Sequence, residues 1–238
     1  MPTAVVTGAN SGIGHAFAQL LINEIRLGTT DDSSSHRPQT LTWERNYNPY
    51  HVVYIVRGLD VRSPESINGL AAQLAGKPVD VLLNVAGVMA PTEEDALGSV
   101  TKDICTKTFE TNTFGPLLLT QALLDSLLAA PTPHIGIVSS RVGSINDNST
   151  GGSYAYRASK AAVNSIGKSL SVDLRDRGVV VSLLHPGIVK SNLNPHAEEH
   201  AEAVEPEEAA GKLWKVFMAH GIDDTGKFWH REGYELPW

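Results

Sequence analysis

Short apolar stretches of strand length alternate along the chain with longer segments of helical periodicity. The predicted strands are Thr3–Thr7, Val52–Val56, Val79–Leu83, Ile135–Val138 and Val179–Leu184. Most of them are continuously apolar and rich in Val and Ile, as are strands buried on both faces of a sheet. Such alternation is typical of parallel βαβ units. The sequence therefore predicts one α/β domain over residues 1–238, a doubly wound parallel sheet with helices on both faces.

The region of the second strand does not follow this scheme. Thr29–Pro38 is a polar stretch with the composition of a loop. A strand over Thr40–Glu44 would be followed by only a few residues before the Val52 strand, and no crossover helix fits between them. We therefore expect an irregular second-strand region.

Composition and charge exclude several classes of function. The 238 residues carry a formal net charge of −7 and no cluster of basic residues, which argues against nucleic acid as a partner. The single cysteine, Cys105, cannot form an internal disulfide. The most apolar segment, Leu117–Ala130, is interrupted by polar residues and is too short to span a bilayer. With no targeting segment at the N-terminus either, we expect a cytoplasmic protein without a membrane partner.

A glycine-rich turn, Thr7-Gly8-Ala9-Asn10-Ser11-Gly12-Ile13-Gly14, directly follows the first predicted strand and opens a helix. Glycines in this position allow a tight turn and a close approach of the backbone to a pyrophosphate, whose charge meets the helix N-terminus. The spacing Gly-x-x-x-Gly-x-Gly differs from the common Gly-x-Gly-x-x-Gly fingerprint. No Gly-Lys-Ser/Thr follows, which excludes a phosphoryl-transfer P-loop. The position in the first βα turn favours a dinucleotide site.

Tyr156 and Lys160 lie four residues apart in a predicted helix and therefore on one helix face. A nearby ammonium favours the phenolate, so we expect the pKa of Tyr156 to fall below about 10. Ser139 and Ser140 follow a predicted strand, at the sheet edge where open α/β sheets bind ligands. Each of these features alone is also common in surfaces and ordinary loops.

Taken in order, the glycine turn, the strand-end serine and Tyr-x-x-x-Lys resemble the short-chain dehydrogenase/reductase family over nearly the whole chain. Further matches are Asn84-Val85-Ala86-Gly87, Asn112 in Thr111–Gly115, and His185–Ser191. Within the family, Tyr154–Lys160 and the terminal Gly233–Trp238 are most similar to carbonyl reductases of the sniffer and C-factor types. The resemblance implies a Rossmann-type fold and NAD(P)(H)-dependent reduction of a ketone or aldehyde to an alcohol, or the reverse.

The resemblance implies a catalytic set of Asn112, Ser140, Tyr156 and Lys160. Tyr156 would protonate the carbonyl oxygen as hydride arrives from a nicotinamide. Lys160 would hold the ribose hydroxyls and lower the tyrosine pKa, and Ser140, rather than Ser139, would orient the substrate oxygen. Asn112 would position a water that links Lys160 to solvent.

The resemblance also implies a set of cofactor-binding residues. They are Gly8, Ser11, Gly12, Ile13 and Gly14 at the diphosphate, Asp60 at the adenine, Asn84, Ala86 and Gly87 beside the adenine ribose, Pro186, Gly187, Ile188 and Ser191 at the nicotinamide, and Tyr156 and Lys160 themselves.

Cofactor choice depends on charge beside the adenosine ribose. An acidic group there binds the 2′-OH, and a basic group pairs with a 2′-phosphate. Ser11 is neutral, and Glu44 and Arg45 both fall in the irregular stretch. Related carbonyl reductases mostly use NADPH, which Arg45 would suit, so we expect NADP(H) rather than NAD(H).

The substrate loop is expected near residues 192–204. Its histidines and glutamates form no closed ligand set, so we expect a solvated acidic loop and no metal site. Family members usually pair through the helix that carries Tyr156 and Lys160, which here has small residues, so we expect a homodimer or homotetramer. Two alternatives remain open: a non-catalytic cofactor-binding module, and an isomerase or cyclase of a biosynthetic pathway built on the same fold.

Overall fold

A computed structural model describes residues 3–27, 52–55 and 58–238. The described chain forms one sheet of six strands, all parallel, in the order β2-β1-β3-β4-β5-β6. The strands are β1 (Thr3–Val6), β2 (Val52–Ile55), β3 (Val81–Asn84), β4 (His134–Val138), β5 (Val180–His185) and β6 (Lys227–His230).

All five predicted strands are present, with ends shifted by one or two residues. The sixth strand was not predicted, because four residues of mixed polarity give too short a pattern to recognise. The expected strand at Thr40–Glu44 and the residue Arg45 lie outside the described residues. In the described chain, β1 pairs directly with β2 in register from Thr3↔Val52 to Val6↔Ile55.

Helices alternate with the strands as predicted. They are α1 (Gly12–Leu27), α2 (Pro64–Leu74), α3 (Lys102–Phe109), a π-helical turn (Glu110–Phe114), α4 (Gly115–Ala122), α5 (Leu124–Leu128), α6 (Tyr154–Leu174) and α7 (Pro206–Ala219). Helix α1 begins at Gly12, within the glycine turn that was predicted to open a helix. In α7, Pro206 occupies the first helical position, where its missing N–H costs nothing.

Successive side chains of the strands point to opposite faces of the sheet and pack in two separate hydrophobic cores, one on each face. On one face, Val5 and Leu82 pack with side chains from α2, α4, α5 and α6. On the other face, Val6 and Leu83 pack with side chains from α1 and α7, among them the fully buried Phe17 and Phe217. This arrangement confirms the doubly wound α/β prediction.

The strand order places a crevice beside β1. The chain runs from β1 to β2 on one side and then crosses to β3 on the other, so the connections after β1 and β3 diverge at their carboxyl ends. Open α/β sheets bind their ligands at such a switch point. Gly8 follows β1 at this point.

Candidate active site

The glycine turn after β1 is held against the turn after β3. Thr7 Oγ1 accepts hydrogen bonds from the backbone N–H groups of Val85 (2.9 Å) and Ala86 (3.0 Å). A Cβ on Gly8, whose φ is +68°, would lie 3.0 Å from the backbone of Ala86. A Cβ on Gly14 would lie 2.6 Å from the carbonyl carbon of Gly8 and closer still to its oxygen. Only glycine fits at either position.

These turns fit a dinucleotide. The helix α1 begins at Gly12 (φ +54°), so that its first N–H groups and the positive end of its dipole lie at the crevice. Asn84, at the end of β3, is buried, and its Nδ2 has no hydrogen-bond partner within the described structure. A cradle without side chains and an unused amide donor match a diphosphate and the sugar next to it.

Tyr156 and Lys160 both lie in the first two turns of α6 and are both buried. Lys160 Nζ lies 5.8 Å from the centroid of the Tyr156 ring and donates to the carbonyl oxygen of Val138 at 2.9 Å. The predicted juxtaposition of phenol and ammonium is therefore present.

The expected fall in the pKa of Tyr156 does not occur. Burial raises the pKa of Tyr156 to about 12, against the opposing effect of a hydrogen bond with Ser140. Burial also lowers the pKa of Lys160 to about 8. Desolvation disfavours the charged form of each group, and for Tyr156 it outweighs the opposing effect of Ser140. At neutral pH the phenol is thus neutral and holds its proton.

The two serines after β4 differ in their surroundings. Ser140 lines the crevice with Tyr156, and its side chain opposes the rise in the pKa of Tyr156. Ser139 is buried, and its hydroxyl lies 3.5 Å from the carbonyl oxygen of Lys160, at the outer limit of a hydrogen bond. The structure thus brings Ser140, rather than Ser139, to the tyrosine hydroxyl.

Asn112 lies in the π-helical turn between α3 and α4, a type of distortion often found at functional sites. Its side chain accepts from the N–H of Val88 and donates to the carbonyl oxygen of Val88, both at 2.8 Å. A Cβ on Gly87 would lie 3.3 Å from Asn112 Oδ1 and 3.7 Å from Lys160 Nζ. The side chain of Asn112 therefore fixes the Gly87–Val88 turn beside Lys160.

One cleft of about 1600 Å³ collects most of the predicted residues. It is lined by Gly8, Ser11, Gly12, Ile13, Gly14, Asp60, Ala86, Gly87, Ser140, Tyr156, Lys160, Pro186, Gly187, Ile188 and Ser191. Asn84 and Asn112 do not line the cleft themselves, and Asn112 holds the Gly87–Val88 turn of the lining in place, as described above. Arg45 is the one predicted residue outside the described part of the chain.

Asp60 is placed in the cleft but is already paired. Its carboxylate accepts from Arg62 Nη2 at 2.8 Å and Nε at 3.0 Å, and this pairing lowers the pKa of Asp60 to about 2. Arg62 also lines the cleft and was not predicted as a site residue. It lies beside Asp60, the residue that the resemblance assigns to the adenine.

Three further residues contribute to the site but were not predicted as site residues, although His185 begins the His185–Ser191 match. His185 Nδ1 accepts from the N–H of Arg141 (3.2 Å), directly after Ser140, and burial lowers the pKa of His185 to about 3, so the ring is neutral. Asp95 binds the first turn of α6, and Arg231 binds the segment after β5. Asp95 and Arg231 act through contacts distant in sequence, and no local pattern marks them.

In the segment expected to form the substrate loop, His196 Nδ1 and Glu199 Oε1 lie 2.9 Å apart, and both side chains are largely exposed. Within the described ranges, no three His, Cys, Asp or Glu side chains come together as a metal site would require. None of the helices in those ranges is both long enough and apolar enough to cross a bilayer.

Comparison with characterised sequences shows similarity over the whole length of the chain. It is 36% identical over 243 residues to the 1-hydroxy-2-glutathionyl-2-methyl-3-butene dehydrogenase of Rhodococcus sp. (strain AD45), covering 100% of both chains. It is 39% identical over 173 residues to the C-signal protein of Myxococcus xanthus, covering 72% of this chain and 100% of that protein.

Solved structures show the same fold at similar size. The NADPH-bound carbonyl reductase from chicken fatty liver superposes with a TM-score of 0.80 at 29% identity, over 100% of this chain and 99% of that one. Carbonyl reductase Sniffer of D. melanogaster superposes with a TM-score of 0.79 at 26% identity, over 100% of both. These similarities confirm the predicted resemblance to carbonyl reductases of the sniffer type.

The sequence profile of the family described as short chain dehydrogenase matches residues 2–202, which include the glycine turn, Ser140, Tyr156 and Lys160. Together with the parallel sheet and the cleft at its switch point, this match shows that the chain belongs to the short-chain dehydrogenase/reductase family of oxidoreductases.

Proposed function

We propose that this protein reduces the carbonyl group of a ketone or aldehyde to an alcohol, or catalyses the reverse reaction, with a nicotinamide cofactor. The observation that supports this most strongly is the meeting of Ser140, Tyr156 and Lys160 in the cleft that the glycine turn also lines. A bound nicotinamide would supply or accept the hydride. Gly8, Gly12 and Gly14 would hold its diphosphate.

The four residues of the predicted catalytic set would have different parts in the reaction. Because burial raises the pKa of Tyr156 to about 12, the phenol keeps a proton that it can give to the substrate oxygen. Ser140 would donate a hydrogen bond to the same oxygen and hold it within reach of Tyr156. Lys160, charged at neutral pH, would stabilise the phenolate that remains and hold the ribose hydroxyls. Asn112 would keep the Gly87–Val88 turn in place beside Lys160.

The test is oxidation of NADPH with a panel of ketones and aldehydes, comparing the wild type with Tyr156→Phe. We expect kcat to fall by about 10²–10⁴ in the variant, since it lacks the proton to transfer. Cofactor affinity, measured by the fluorescence of bound NADPH, should stay within a few fold. Equal turnover by both proteins would overturn the proposal, and tight NADPH binding without turnover of any compound would favour a non-catalytic module.

We also propose NADP(H) as the cofactor. Arg45 falls in the stretch where the second strand is expected to end, and a basic residue there would pair with the 2′-phosphate. The carbonyl reductase from chicken fatty liver is NADPH-bound. Titration of NADPH and NADH into the wild type and Arg45→Glu tests this, because the variant should lose NADPH affinity and keep NADH affinity. An unchanged ratio of the two affinities would refute the assignment.

The protein is further proposed to form a homodimer or homotetramer through α4 and α6. Phe114, just before α4, is 48% exposed, Leu118 on α4 is 37% exposed, and Val172 on α6 is 65% exposed. The small residues Ser165 and Ser169 on α6 are also exposed and would allow a close approach of a second subunit. Light scattering should give a mass of at least twice 25.5 kDa. A single species at the monomer mass would contradict this.

A further inference from the structure

Arg231, directly after β6, has a buried guanidinium that binds three carbonyl oxygens. Nη1 donates to Pro186 at 2.8 Å and to Ile188 at 3.2 Å, and Nη2 donates to Glu202 at 3.1 Å. The residue is 7% exposed. A buried cation must be satisfied by hydrogen bonds, and these three carbonyls satisfy most of the guanidinium.

The three carbonyls belong to the two ends of one loop. Pro186 and Ile188 precede the predicted substrate loop, and Glu202 is near its end. The same two ends are joined by backbone hydrogen bonds from Lys190 N to Val204 O (3.0 Å) and from Val204 N to Ile188 O (3.1 Å). Arg231 therefore joins the two ends of the loop at its base, and it also lines the cleft.

The backbone at Gly187 is shaped to receive this side chain. Gly187 has φ +73°, and a Cβ there would lie 2.7 Å from Arg231 Cζ and closer still to Nη1. The guanidinium thus occupies the space where a side chain at position 187 would be. Arg231 Nε lies 3.2 Å from Glu232 Oε1, and Lys212 on α7 pairs with the same carboxylate at 2.9 Å. These contacts tie the side chain to α7 on one face of the sheet.

We propose that Arg231 is a positioning residue for the nicotinamide end of the cofactor site and for the base of the substrate loop. The inference depends on the proposed function, in which Pro186, Gly187 and Ile188 meet the nicotinamide. By binding carbonyl oxygens at both ends of the loop, Arg231 fixes the orientation of the peptide groups of Pro186–Ile188, which would contact the nicotinamide. Its effect on the reaction passes through this segment and not through direct contact with the substrate.

The experiment compares Arg231→Met and Arg231→Lys with the wild type and with Arg175→Met. Arg175 is a matched control, because its guanidinium makes one exposed ion pair with Asp223 on the surface. Each protein is titrated with NADPH and NADH, and also with ADP-ribose and its 2′-phosphate, which lack the nicotinamide. Hydrogen exchange of the unliganded proteins is measured in parallel.

Arg231→Met should weaken binding of the full cofactor by about tenfold or more, since charged hydrogen bonds to the segment are lost. Binding of the ADP-ribose compounds should change by less than about threefold, because they do not reach this segment. The amides of Lys190 and Val204 should exchange faster, and those of β1, β3 and β4 should not. The cofactor affinity of Arg231→Lys should lie between those of the wild type and Arg231→Met, because one ammonium group cannot reach all three carbonyl oxygens as the planar guanidinium does.

Four results would contradict the inference. Full cofactor binding as tight in Arg231→Met as in the wild type would overturn it and leave the proposed function standing. Equal weakening of the full cofactor and of ADP-ribose, or faster exchange throughout the sheet, would reduce Arg231 to a general stabilising role. A wild type that binds neither NADPH nor NADH would overturn the proposed function as well.

Discussion

The carboxylate of Asp95 accepts a hydrogen bond from the backbone N–H of Tyr156, 61 positions further along the chain, at 3.0 Å. Its other oxygen accepts from Ala155 N at 2.8 Å, and its backbone carbonyl accepts from Tyr154 N at 3.3 Å. Ser153, the residue that would normally cap the helix α6, has φ +47° and makes no side-chain cap. Asp95 thus replaces the missing N-cap from another segment of the chain.

Asp95→Asn should destabilise the protein by about 1–3 kcal/mol. The variant replaces one acceptor oxygen with an NH₂ group that faces a backbone N–H, which leaves a buried donor unsatisfied. Because the bound amides include that of Tyr156, kcat should fall as well, while the KM for the cofactor stays nearly constant. Urea unfolding and steady-state kinetics measure the two effects. Asp223→Asn is the control, since that carboxylate is 94% exposed, and an Asp95 variant as stable as this control would refute the capping role.

Gly14→Ala should disrupt the diphosphate turn. The added Cβ would collide with the carbonyl group of Gly8, which is backbone and cannot move without opening the turn. We expect a loss of at least about 2 kcal/mol of stability and a large loss of cofactor affinity, by analogy with other overpacked buried sites. Thermal unfolding and NADPH titration measure both.

Gly69→Ala is the matched control for that substitution. Gly69 lies within the helix α2, and a Cβ there would meet nothing within 4 Å. Alanine is favoured over glycine inside a helix by about 1 kcal/mol, so this variant should be somewhat more stable than the wild type and bind cofactor equally well. Similar stability and similar NADPH affinity of the two alanine variants would show that the clash of a Cβ at Gly14 does not disrupt the turn.

His185→Ala should impair the substrate side of the cleft without changing the pH dependence of the reaction. The ring of His185 accepts the N–H of Arg141, so its removal leaves that amide unpaired next to Ser140. We expect KM for the carbonyl substrate to rise several fold and cofactor affinity to stay constant. Since the pKa of His185 is about 3, its ionisation contributes nothing between pH 5 and 9, and profiles of the two proteins should be parallel there. Profiles that differ in shape over this range would contradict a neutral ring.

Much of the architecture was predictable because its causes are local. Val- and Ile-rich stretches specify buried parallel strands, and the glycines of the first turn are required by clashes within the turn and with the neighbouring loop. Tyr156 and Lys160 were singled out by their spacing on one helix, and their roles came from the resemblance of the ordered set of motifs to the family. Asp95 and Arg231 were not found, because each binds backbone groups tens of residues away and carries no motif. The predicted direction of the Tyr156 pKa shift was wrong for a related reason. The spacing shows that an ammonium group lies nearby, but it does not show the burial that raises the pKa.

The values for Tyr156 and Lys160 predict which group limits reduction at high pH. Since burial lowers the pKa of Lys160 to about 8, this residue loses its charge as the pH rises past 8. The pKa of Tyr156 is about 12, so the phenol still holds its proton there. Only the charged lysine stabilises the phenolate left after proton transfer, so kcat/KM for reduction should be constant at lower pH and fall about tenfold per pH unit above about 8.

Lys160→Arg separates the two groups, because a guanidinium remains charged to above pH 12. If the variant folds with normal stability, its falling limb should move up by at least two pH units, toward the ionisation of Tyr156 itself. Its maximal rate should be lower than that of the wild type, since the longer, planar side chain fits less well in the buried position beside Val138. A limb that stays near pH 8 in the arginine variant would assign it to a group other than Lys160, and the charge of that lysine would then have no part in the proton transfer.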